Sequence, residues 1–436
     1  MSSESNDAAQ TRVDSRYDLL PREGSSVAAD GLTESADVPE PALSRRQQRK
    51  NRPRTRGQRV RRRIVIGFLA VSGVATIWFG LSFAPYARDS NGEPVAVLLA
   101  EWGRDNHLGP VVAKAEDFYY AHFATVPEGG VPTEAALVDQ PSGLPTALDP
   151  TAPPAPVARP HLNPPATLTS PAASTITGEG VWQPVGTPVG GRHAIYVARV
   201  RPDAVHTSVL ASLMWIDTKL THAMLVPGYI EPGGPNPSDG ALPTRYWPQV
   251  LANFNGGFRL QDSNGGYFFY GTTVAPLVSG RASAVIGRDG SIHIGAWGRD
   301  VSMSADTSVV LQNLDLIVDH GRSKVQPGAG FQWGATTQGE TYAWRSALGV
   351  RADGSLVYIG SPGLSADSMA NILLRAGVIR AMVLDMNNWW VAGFYFNHDA
   401  NGSPTCAKLD PNIAEGCDRF LKRYKRDSFQ FLAAPR

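Results

Sequence analysis

The side chains best suited to catalysis stand directly after a short apolar run near the C-terminus. Residues 380–390 read RAMVLDMNNWW, so a predicted buried strand ends at Asp385 and is followed by Asn387, Asn388 and Trp389. A carboxylate, amides and aromatic faces are what a sugar site needs, with an acid or nucleophile at the anomeric carbon. A turn in which the aspartate caps a tryptophan-filled core would have the same sequence.

A second candidate lies where residues 250–258 (VLANFNGGF) run into Asn255, Gly256 and Gly257. Asparagine offers both a donor and an acceptor, and two glycines let the backbone approach a ligand closely. An ordinary hairpin turn is the alternative interpretation.

The third candidate is Arg345, at the entrance of the apolar strand predicted in residues 344–350 (WRSALGV). Its guanidinium could bind a phosphate or a carboxylate through two hydrogen bonds. A structural salt bridge is the alternative for this residue taken alone.

Several common catalytic signatures are missing. The sequence has no Walker loop, no Gly-x-Gly-x-x-Gly after a strand, no His-Glu-x-x-His and no Gly-x-Ser-x-Gly, and its nine histidines lack the spacing of metal ligands. These absences argue against nucleotide hydrolysis, zinc proteolysis and serine esterase chemistry. No cofactor is evident, and the sequence leaves open whether a divalent cation takes part and which residues would bind it.

From about residue 178 the chain alternates short apolar runs with Gly, Asn and Asp turns. Two of these turns, Asp289-Gly290 and Asp353-Gly354, join apolar runs and predict hairpins. Residues 365–376 have the apolar spacing of a helix that begins at a Ser or Asp cap and stops at Gly377. We therefore expect residues 178–436 to form one α+β domain, mostly antiparallel sheet with a few helices.

Residues 64–84 (IVIGFLAVSGVATIWFGLSFA) form a run of 21 residues without a charge. A helix of that length spans about 31 Å, close to the roughly 30 Å hydrocarbon core of a bilayer. Eleven Lys or Arg residues precede it within residues 45–63, and such flanks stay in the cytoplasm. The pattern predicts a single-pass helix in the cell membrane with the N-terminus cytoplasmic and the C-terminal domain extracytoplasmic. A buried core helix and a cleavable signal peptide are the alternatives.

The net charge of +1 is the sum of three unequal regions. Residues 1–44 carry nine acids and three arginines, residues 45–63 carry only bases, and the part after residue 87 carries 26 bases and 30 acids. Residues 1–63 have too few apolar side chains to offset chain entropy, which predicts a disordered cytoplasmic tail ending in a basic cluster. Topology and attraction to anionic lipid explain a basic cluster beside a membrane, so we expect no nucleic acid partner.

Two segments separate the predicted span from the α+β domain. Residues 88–126 mix apolar and charged residues at helical spacing and are interrupted by Gly109-Pro110, which predicts a juxtamembrane region of two short helices. Residues 127–172 are rich in proline and predict an extended linker, at about 3.1 Å per residue where it is polyproline-like. Such a linker would hold the domain well away from the bilayer.

The two cysteines, Cys406 and Cys417, enclose ten residues of a loop with Pro, Asn and Gly. On the oxidising side of the membrane they predict a structural disulfide, which would contribute about 3 kcal/mol to stability. A metal-binding pair or free thiols are the alternatives, but no nearby histidine spacing completes a zinc site.

The order of these motifs over residues 180–400 resembles the phosphodiester glycosidase (uncovering-enzyme-like) family. The shared order is a strand to Asn-Gly-Gly-Phe, a Gly-rich hairpin, an Arg-x-Ala-x-Gly-Val strand with x-Asp-Gly, a helix, and a strand to Leu-Asp. Phrases such as Trp344-Arg345-Ser346 look closest to a membrane-anchored bacterial branch. One departure follows the Leu-Asp, where the wider family has a glycine run and Ser but this chain has Met386-Asn387-Asn388-Trp389.

The resemblance implies a hydrolase that cleaves a sugar 1-phosphodiester in a cell-envelope or extracellular glycan. Arg345 and the backbone N–H groups of Gly256 and Gly257 would hold the phosphodiester. Asp385 would act as nucleophile or general base at the anomeric carbon, and Asn255 would orient the sugar. Because a phosphate leaving group has a low pKa, one essential carboxylate could suffice.

The remaining candidates depend on the departure from the family pattern. Asn387 would orient the sugar, and it or Asn388 would have to replace by side chain the backbone donors of the missing glycines, with Trp389 stacking on the sugar. Glu340 is the candidate for a second carboxylate. The competing hypothesis is a non-catalytic module on the same fold that binds a glycan or an envelope partner.

Overall fold

The computed structural model describes residues 55–132, 159–174, 176–326, 330–334 and 341–435. The chain divides into two units, Met1–Thr76 and Ile77–Arg436. The predictions for residues 1–54, for most of the linker and for Glu340 fall outside the described residues.

Helix α1, Arg56–Arg88, contains the whole predicted span of residues 64–84, and none of its 33 residues is buried. By length and composition it is the one helix in the described part of the chain that could cross a membrane. Its insertion and its orientation stay predictions.

Two helices follow α1 along the chain: α2 is Val95–Asp105 and α3 is Gly109–His122. Pro110 stands in the first turn of α3, where a missing N–H costs nothing, so Gly109-Pro110 separates the helices rather than breaking one. The two helices pack together, since a Cβ on Gly103 would lie 2.8 Å from Cγ2 of Val112. We call this pair the α2–α3 hairpin.

Within the described residues, eighteen strands form three sheets in which neighbouring strands are antiparallel. The eight-stranded sheet has the order β1 (Gln183–Val185), β2 (Ile195–Val200), β3 (Ala211–Ile216), β14 (Leu356–Leu364), β13 (Ala343–Arg351), β15 (Val378–Val383), β11 (Leu316–Asp319) and β12 (Arg322–Ser323). One five-stranded sheet has the order β7 (Thr272–Ala275), β6 (Tyr267–Phe269), β10 (Thr307–Asn313), β8 (Ala282–Gly287) and β9 (Ile292–Ala296). The other has the order β17 (Pro404–Lys408), β16 (Gly393–His398), β5 (Val250–Asn255), β18 (Ser428–Ala433) and β4 (Thr221–Val226).

The predicted α+β class is confirmed, and so are its local signals. The Asp-Gly turns at Gly290 and Gly354 join β8 to β9 and β13 to β14, with φ of 77° and 84° that suit glycine. Helix α5, Ala366–Arg375, begins at a capping box between Ser365 and Ser368. A fourth helix, α4, is the single turn Leu260–Ser263.

The eight-stranded sheet is buried on both faces, as the alternation of β3 shows. Leu213 and Trp215 belong to the core that α5 covers, whereas Met214 and Ile216 belong to the core shared with the two five-stranded sheets. Such a strand has no polar face, which is why it reads in the sequence as a continuous apolar run.

The predicted disulfide between Cys406 and Cys417 is present, with a Cα–Cα distance of 5.7 Å. It closes the loop that follows β17. The alternatives left open by the sequence, a metal-binding pair or free thiols, are therefore wrong for these two cysteines.

The prediction that the linker holds the domain apart needs correction where the chain is described. Leu168 is buried and its N–H donates to the carbonyl of Gly180 at 2.9 Å, so residues 159–174 lie along the domain. The α2–α3 hairpin also contacts the domain directly, because buried Lys425 pairs with Glu93 and with Glu101. These buried ion pairs hold the hairpin against the sheets.

Candidate active site

A central cavity of about 400 Å³ opens where the ends of β5 and β15, the start of β18 and the α2–α3 hairpin meet. Its wall is rich in charge. The acidic lining residues are Glu101, Glu116, Asp262 and Asp385, and the basic ones are Arg104, Arg259 and Arg426. A site with this charge density suits a polar, charged ligand rather than an apolar one.

Asp385 is the one predicted catalytic residue that lines the central cavity. It is 4% exposed and stands two residues beyond the end of β15. Its Oδ1 accepts the N–H of Met386 at 2.7 Å, and its Oδ2 accepts Nη2 of Arg426 at 2.9 Å. Burial raises the pKa of Asp385 to about 6, because the loss of solvent outweighs the attraction of Arg426. At neutral pH the carboxylate is therefore mostly ionised, yet close to its titration point.

The backbone of Asp385 is fixed by Ser346 of β13. The Ser346 N–H donates to the carbonyl of Asp385 at 2.7 Å, and the Asp385 N–H donates to Oγ of Ser346 at 3.0 Å. A further amide, Nδ2 of Asn313, donates to the carbonyls of Val383 and Leu384 at 2.6 and 2.7 Å. These bonds leave the strand end little freedom, so the carboxylate is held in a defined position.

Arg426 reaches Asp385 because of the pairing between β5 and β18. Ser428 lies opposite Asn255 in the antiparallel register, which places the two residues before β18 beside the two glycines after β5. Nη2 of Arg426 accordingly donates to the carbonyl of Gly257 at 2.9 Å as well as to Asp385. Arg426 was not among the predicted site residues, because it stands two residues before a strand whereas Asp385 was singled out for following one.

A second buried carboxyl belongs to Asp427, the residue after Arg426. It lines a small cavity of about 10 Å³, the size of a single water molecule, together with Asp385 and Gly256. Its Oδ2 has no hydrogen-bond partner among the described residues. Burial raises the pKa of Asp427 to about 7, so the carboxyls of Asp385 and Asp427 both titrate close to neutral pH.

Gly256 is required by this arrangement. A Cβ at that position would lie 1.9 Å from Oδ2 of Asp427, whereas a Cβ on Gly257 would meet its nearest neighbour, Asn313, at 3.3 Å. The Gly256 N–H donates to the carbonyl of Asp427 at 2.9 Å. The predicted role of this N–H in holding a phosphodiester is therefore replaced by a strand-pairing bond.

Asn255, predicted to orient the sugar, is 5% exposed and has protein partners at both ends of its amide. Nδ2 donates to Oγ of Ser346 at 3.0 Å, and Oδ1 accepts the hydroxyl of Tyr358 at 2.7 Å. It lines the small cavity rather than the central one. Its contacts place it behind the site, joining β5 to the strand that fixes Asp385.

Arg345 lies next to Ser346 in β13 but points to the opposite side of the strand and is fully buried. Its guanidinium donates to the carbonyls of Leu364, Trp333 and Thr341 at 2.9, 3.1 and 3.3 Å. Burial lowers the pKa of Arg345 to about 10. It does not line the central cavity among the described residues, and Met386, whose sulfur lies 3.9 Å from Nη1, separates it from that space.

The predicted substrate-binding residues after Asp385 divide between two environments. Asn387 lines the central cavity, and its Oδ1 accepts the N–H of Trp389 at 2.8 Å. Asn388 is exposed in the following turn, and Trp389 packs at the edge of the core. The tryptophan that lines the cavity is Trp390, with the guanidinium carbon of Arg426 4.8 Å from its ring centre. Of the two tryptophans, Trp390 and not the predicted Trp389 therefore lines the central cavity.

The α2–α3 hairpin forms the opposite wall of the central cavity, through Glu101, Arg104, Glu116 and Tyr120. Arg104 and Glu116 form an ion pair in which Nη2 of Arg104 donates to both carboxylate oxygens of Glu116, at 2.6 and 2.7 Å. The sequence indicated two helices here but gave no sign that they reach the site, because the contact is made across a long stretch of chain.

Arg259, which directly precedes α4, also lines the central cavity and belongs to the sheet domain. It pairs with Asp262 at 2.9 Å and with Asp105 of the hairpin at 2.7 Å. Each of the three guanidiniums that line the cavity thus has a carboxylate partner. Among the described residues no group of three or more His, Cys, Asp or Glu side chains is arranged to hold a metal ion.

This geometry can be set beside known proteins. Residues 249–385 match the family model for phosphodiester glycosidase. The matched segment begins one residue before β5 and ends at Asp385, so it contains the three predicted catalytic residues, Asn255, Arg345 and Asp385. The resemblance to phosphodiester glycosidases inferred from motif order is confirmed over these residues. No curated protein matches the chain.

The chain is also similar to solved structures, at low sequence identity. The catalytic domain of zebrafish N-acetylglucosamine-1-phosphodiester alpha-N-acetylglucosaminidase, auto-inhibited by its pro-peptide, is 15% identical, with a TM-score of 0.37, over 62% of this chain and 89% of that one. A hypothetical protein from Synechocystis is 11% identical, with a TM-score of 0.31, over 57% of this chain and 64% of that one.

Proposed function

We propose that this protein is a membrane-anchored, extracytoplasmic hydrolase that cleaves a sugar 1-phosphodiester. The observation that carries the proposal is Asp385, a buried carboxylate that faces a charged cavity at the end of the segment matching phosphodiester glycosidases. Its raised pKa, near 6, is typical of a carboxylate that takes part in chemistry rather than in a surface ion pair.

In the proposed reaction Asp385 acts at the anomeric carbon, either as the nucleophile or as the base that activates water. Arg426 orients the carboxylate through Nη2 and, with its positive charge, favours the ionised form that either role requires. A phosphate leaving group needs little protonation, so the reaction does not depend on a general acid of high pKa. The sugar hydroxyls would meet Asn387, and a ring face would stack on Trp390.

The phosphodiester carries one negative charge, and the cavity offers guanidiniums to meet it. Arg104 and Arg259 line the cavity within ion pairs whose acids are between about a quarter and two-fifths exposed, so a phosphate oxygen can compete with those acids. Arg345 supports the same charge from a distance, as a buried cation that donates its hydrogen bonds to neutral backbone carbonyls. Its role in this proposal is electrostatic and not direct contact.

The test is release of free sugar from a sugar 1-phosphodiester by the purified full-length protein, compared with Asp385→Asn. We expect turnover to fall by roughly a thousandfold or more, because the substituted amide can neither attack nor accept a proton. Asp410→Asn is the matched control, since Asp410 is equally buried but is held by Ser212 and Ser361 outside the cavity. Circular dichroism checks that both variants fold.

Two outcomes would change the conclusion. Unchanged turnover in Asp385→Asn removes Asp385 from the mechanism. Glycan binding without turnover in the unaltered protein would favour a non-catalytic module, and the replacement of the family glycine run by Met386-Asn387-Asn388 would then mark the lost activity. NMR can identify which anomer of the sugar is released first. Retention of the anomeric configuration indicates that Asp385 is the nucleophile, and inversion indicates that it is a general base.

A further inference from the structure

The α2–α3 hairpin carries large apolar side chains on the surface that faces away from the central cavity. Val111, Phe118, Tyr119 and Phe123 are 63%, 57%, 51% and 71% exposed. Phe118 stacks on His122 with ring centres 4.3 Å apart, so part of this surface is a continuous aromatic patch. Clustered exposed aromatics mark an interaction surface rather than a freely solvated helix.

The opposite side of the same helix lines the site. Glu116 and Tyr120 of α3 face the central cavity, and each is two positions from Phe118. Two positions on an α-helix correspond to about 200° of rotation, so Phe118, and Val111 seven positions earlier, lie opposite the cavity wall, while Tyr119 borders that wall about 100° from Tyr120. Helix α2 is divided in the same way: Val95 and Leu99 are exposed, whereas Glu101 faces the cavity.

The hairpin is also joined to the end of the predicted membrane span. Within the unit Ile77–Arg436, the ring of Trp102 in α2 lies 5.6 Å from that of Trp78 and 4.8 Å from that of Phe79. Nε1 of Trp102 donates to Oγ of Ser82 at 3.0 Å. Residues 78, 79 and 82 belong to the end of the span that is remote from the basic cluster, where interfacial aromatics are expected.

We propose that the exposed face of the α2–α3 hairpin lies in the outer surface of the bilayer, and that the site takes a sugar 1-phosphodiester whose phosphate is carried by a lipid of that membrane. The occupant of the apolar face is the bilayer because this face continues directly from the end of an apolar helix of membrane-spanning length. The part concerning the substrate rests on the proposed function.

The reaction then has a defined balance. Water adds to the anomeric carbon, the bond between that carbon and the phosphate oxygen breaks, and the lipid leaves as a phosphomonoester while the sugar is released. The α2–α3 hairpin would then lie between the bilayer and the cavity. Arg104, which belongs to the cavity wall formed by the hairpin, would meet the lipid phosphate.

Contact with the membrane is tested independently of activity. The full chain is reconstituted in vesicles of phosphatidylcholine and phosphatidylglycerol with a nitroxide on Tyr119→Cys, which supplies the only free thiol because the two native cysteines, Cys406 and Cys417, form the disulfide. Tyr270→Cys is the matched control, an exposed tyrosine of the sheet domain at 60% exposure. We expect oxygen to reach the label at position 119 several times better than a water-soluble nickel chelate does, with the reverse at 270. Equal, water-like accessibility at both positions overturns the proposal.

The substrate class is tested with one sugar 1-phosphodiester made in two forms, with a long isoprenoid chain embedded in the vesicles and with a short, water-soluble alkyl group. We expect kcat/KM to favour the long form by at least about tenfold, and Phe118→Ser with Phe123→Ser to remove most of that preference. Val205→Ser, an equally exposed apolar residue of the domain, should leave the preference intact.

The outcomes are separable. Equal turnover of both forms contradicts the lipid-linked substrate while leaving the proposed hydrolase intact. No turnover of either form contradicts the proposed function, and the nitroxide measurement still decides whether the hairpin contacts the bilayer. A soluble protein that protects position 119 from both reagents would assign the apolar face to a protein partner and overturn the membrane assignment.

Discussion

Arg426 donates from Nη2 to Oδ2 of Asp385 at 2.9 Å, across 41 residues of sequence. Both side chains are buried, so the pair is formed at a high desolvation cost. The cation lowers the pKa of Asp385 but does not offset burial, and the pKa stays near 6. The carboxylate is therefore poised so that modest changes in its surroundings alter its charge in the range of physiological pH.

The first prediction concerns the pH dependence of hydrolysis. If Asp385 acts in its ionised form and its pKa is about 6, kcat/KM should fall as pH drops below 6 and be reduced roughly tenfold one unit lower. The check is a rate profile between pH 4 and 8 in buffers of constant ionic strength, with the protein's folding followed at each pH. A rate that stays constant down to pH 4 would contradict the assignment.

The second prediction changes the cation. Arg426→Gln removes the positive charge that favours the ionised carboxylate, so the pKa of Asp385 should rise and the acid limb should move to higher pH. Arg423→Gln, an exposed arginine three residues earlier, is the control. A limb that moves to lower pH, or does not move while activity is retained, would show that Arg426 does not control this group.

The third prediction concerns Asp427, which we treat as a positioning residue. Its carboxyl carries negative charge above its pKa of about 7, and Asp427→Asn removes that charge from the neighbourhood of Arg426. Because Asp427 is mostly protonated at the lower pH where Asp385 titrates, the acid limb of Asp385 should move to lower pH by only a small fraction of a unit, with kcat at the plateau nearly kept. Loss of activity at every pH without a shift would instead indicate a purely structural role.

The fourth prediction separates the two possible roles of Arg345. Arg345→Lys cannot reproduce three hydrogen bonds to the carbonyls of Leu364, Trp333 and Thr341, so the free energy of unfolding should fall by about 2 to 4 kcal/mol. Chemical denaturation measures this, and Arg299→Lys in an exposed ion pair is the control. A raised KM with unaltered stability would support direct phosphate binding.

The fifth prediction compares two adjacent glycines. Gly256→Ala places a methyl group 1.9 Å from the Asp427 carboxylate, whereas Gly257→Ala meets Asn313 at 3.3 Å. Gly256→Ala should therefore destabilise the fold by several times more than Gly257→Ala and displace Asp427, as measured by thermal unfolding. Equal effects of the two changes would show that Asp427 moves aside freely.

Much of the fold was readable from local patterns because those patterns act over a few residues. The Asp-Gly turn at Gly354 and the capping box at Ser365 form with little help from the rest of the chain, and both stand where the sequence placed them. Asp385 could be singled out because a carboxylate directly after a buried strand lies at the edge of the sheet. The direction in which Arg345 points could not be read, since both faces of its sheet are buried and alternation gives no clue.

The sequence by itself determined the α+β class, the apolar helix of membrane-spanning length, the disulfide and the carboxylate at the end of β15, because each rests on composition or spacing within one short segment. Only the tertiary structure decided what surrounds that carboxylate. The register of β18 against β5 brings Arg426 and Asp427 to it, and buried ion pairs bring the α2–α3 hairpin over it. Such contacts depend on which remote segments bury surface together, and no local pattern records that choice.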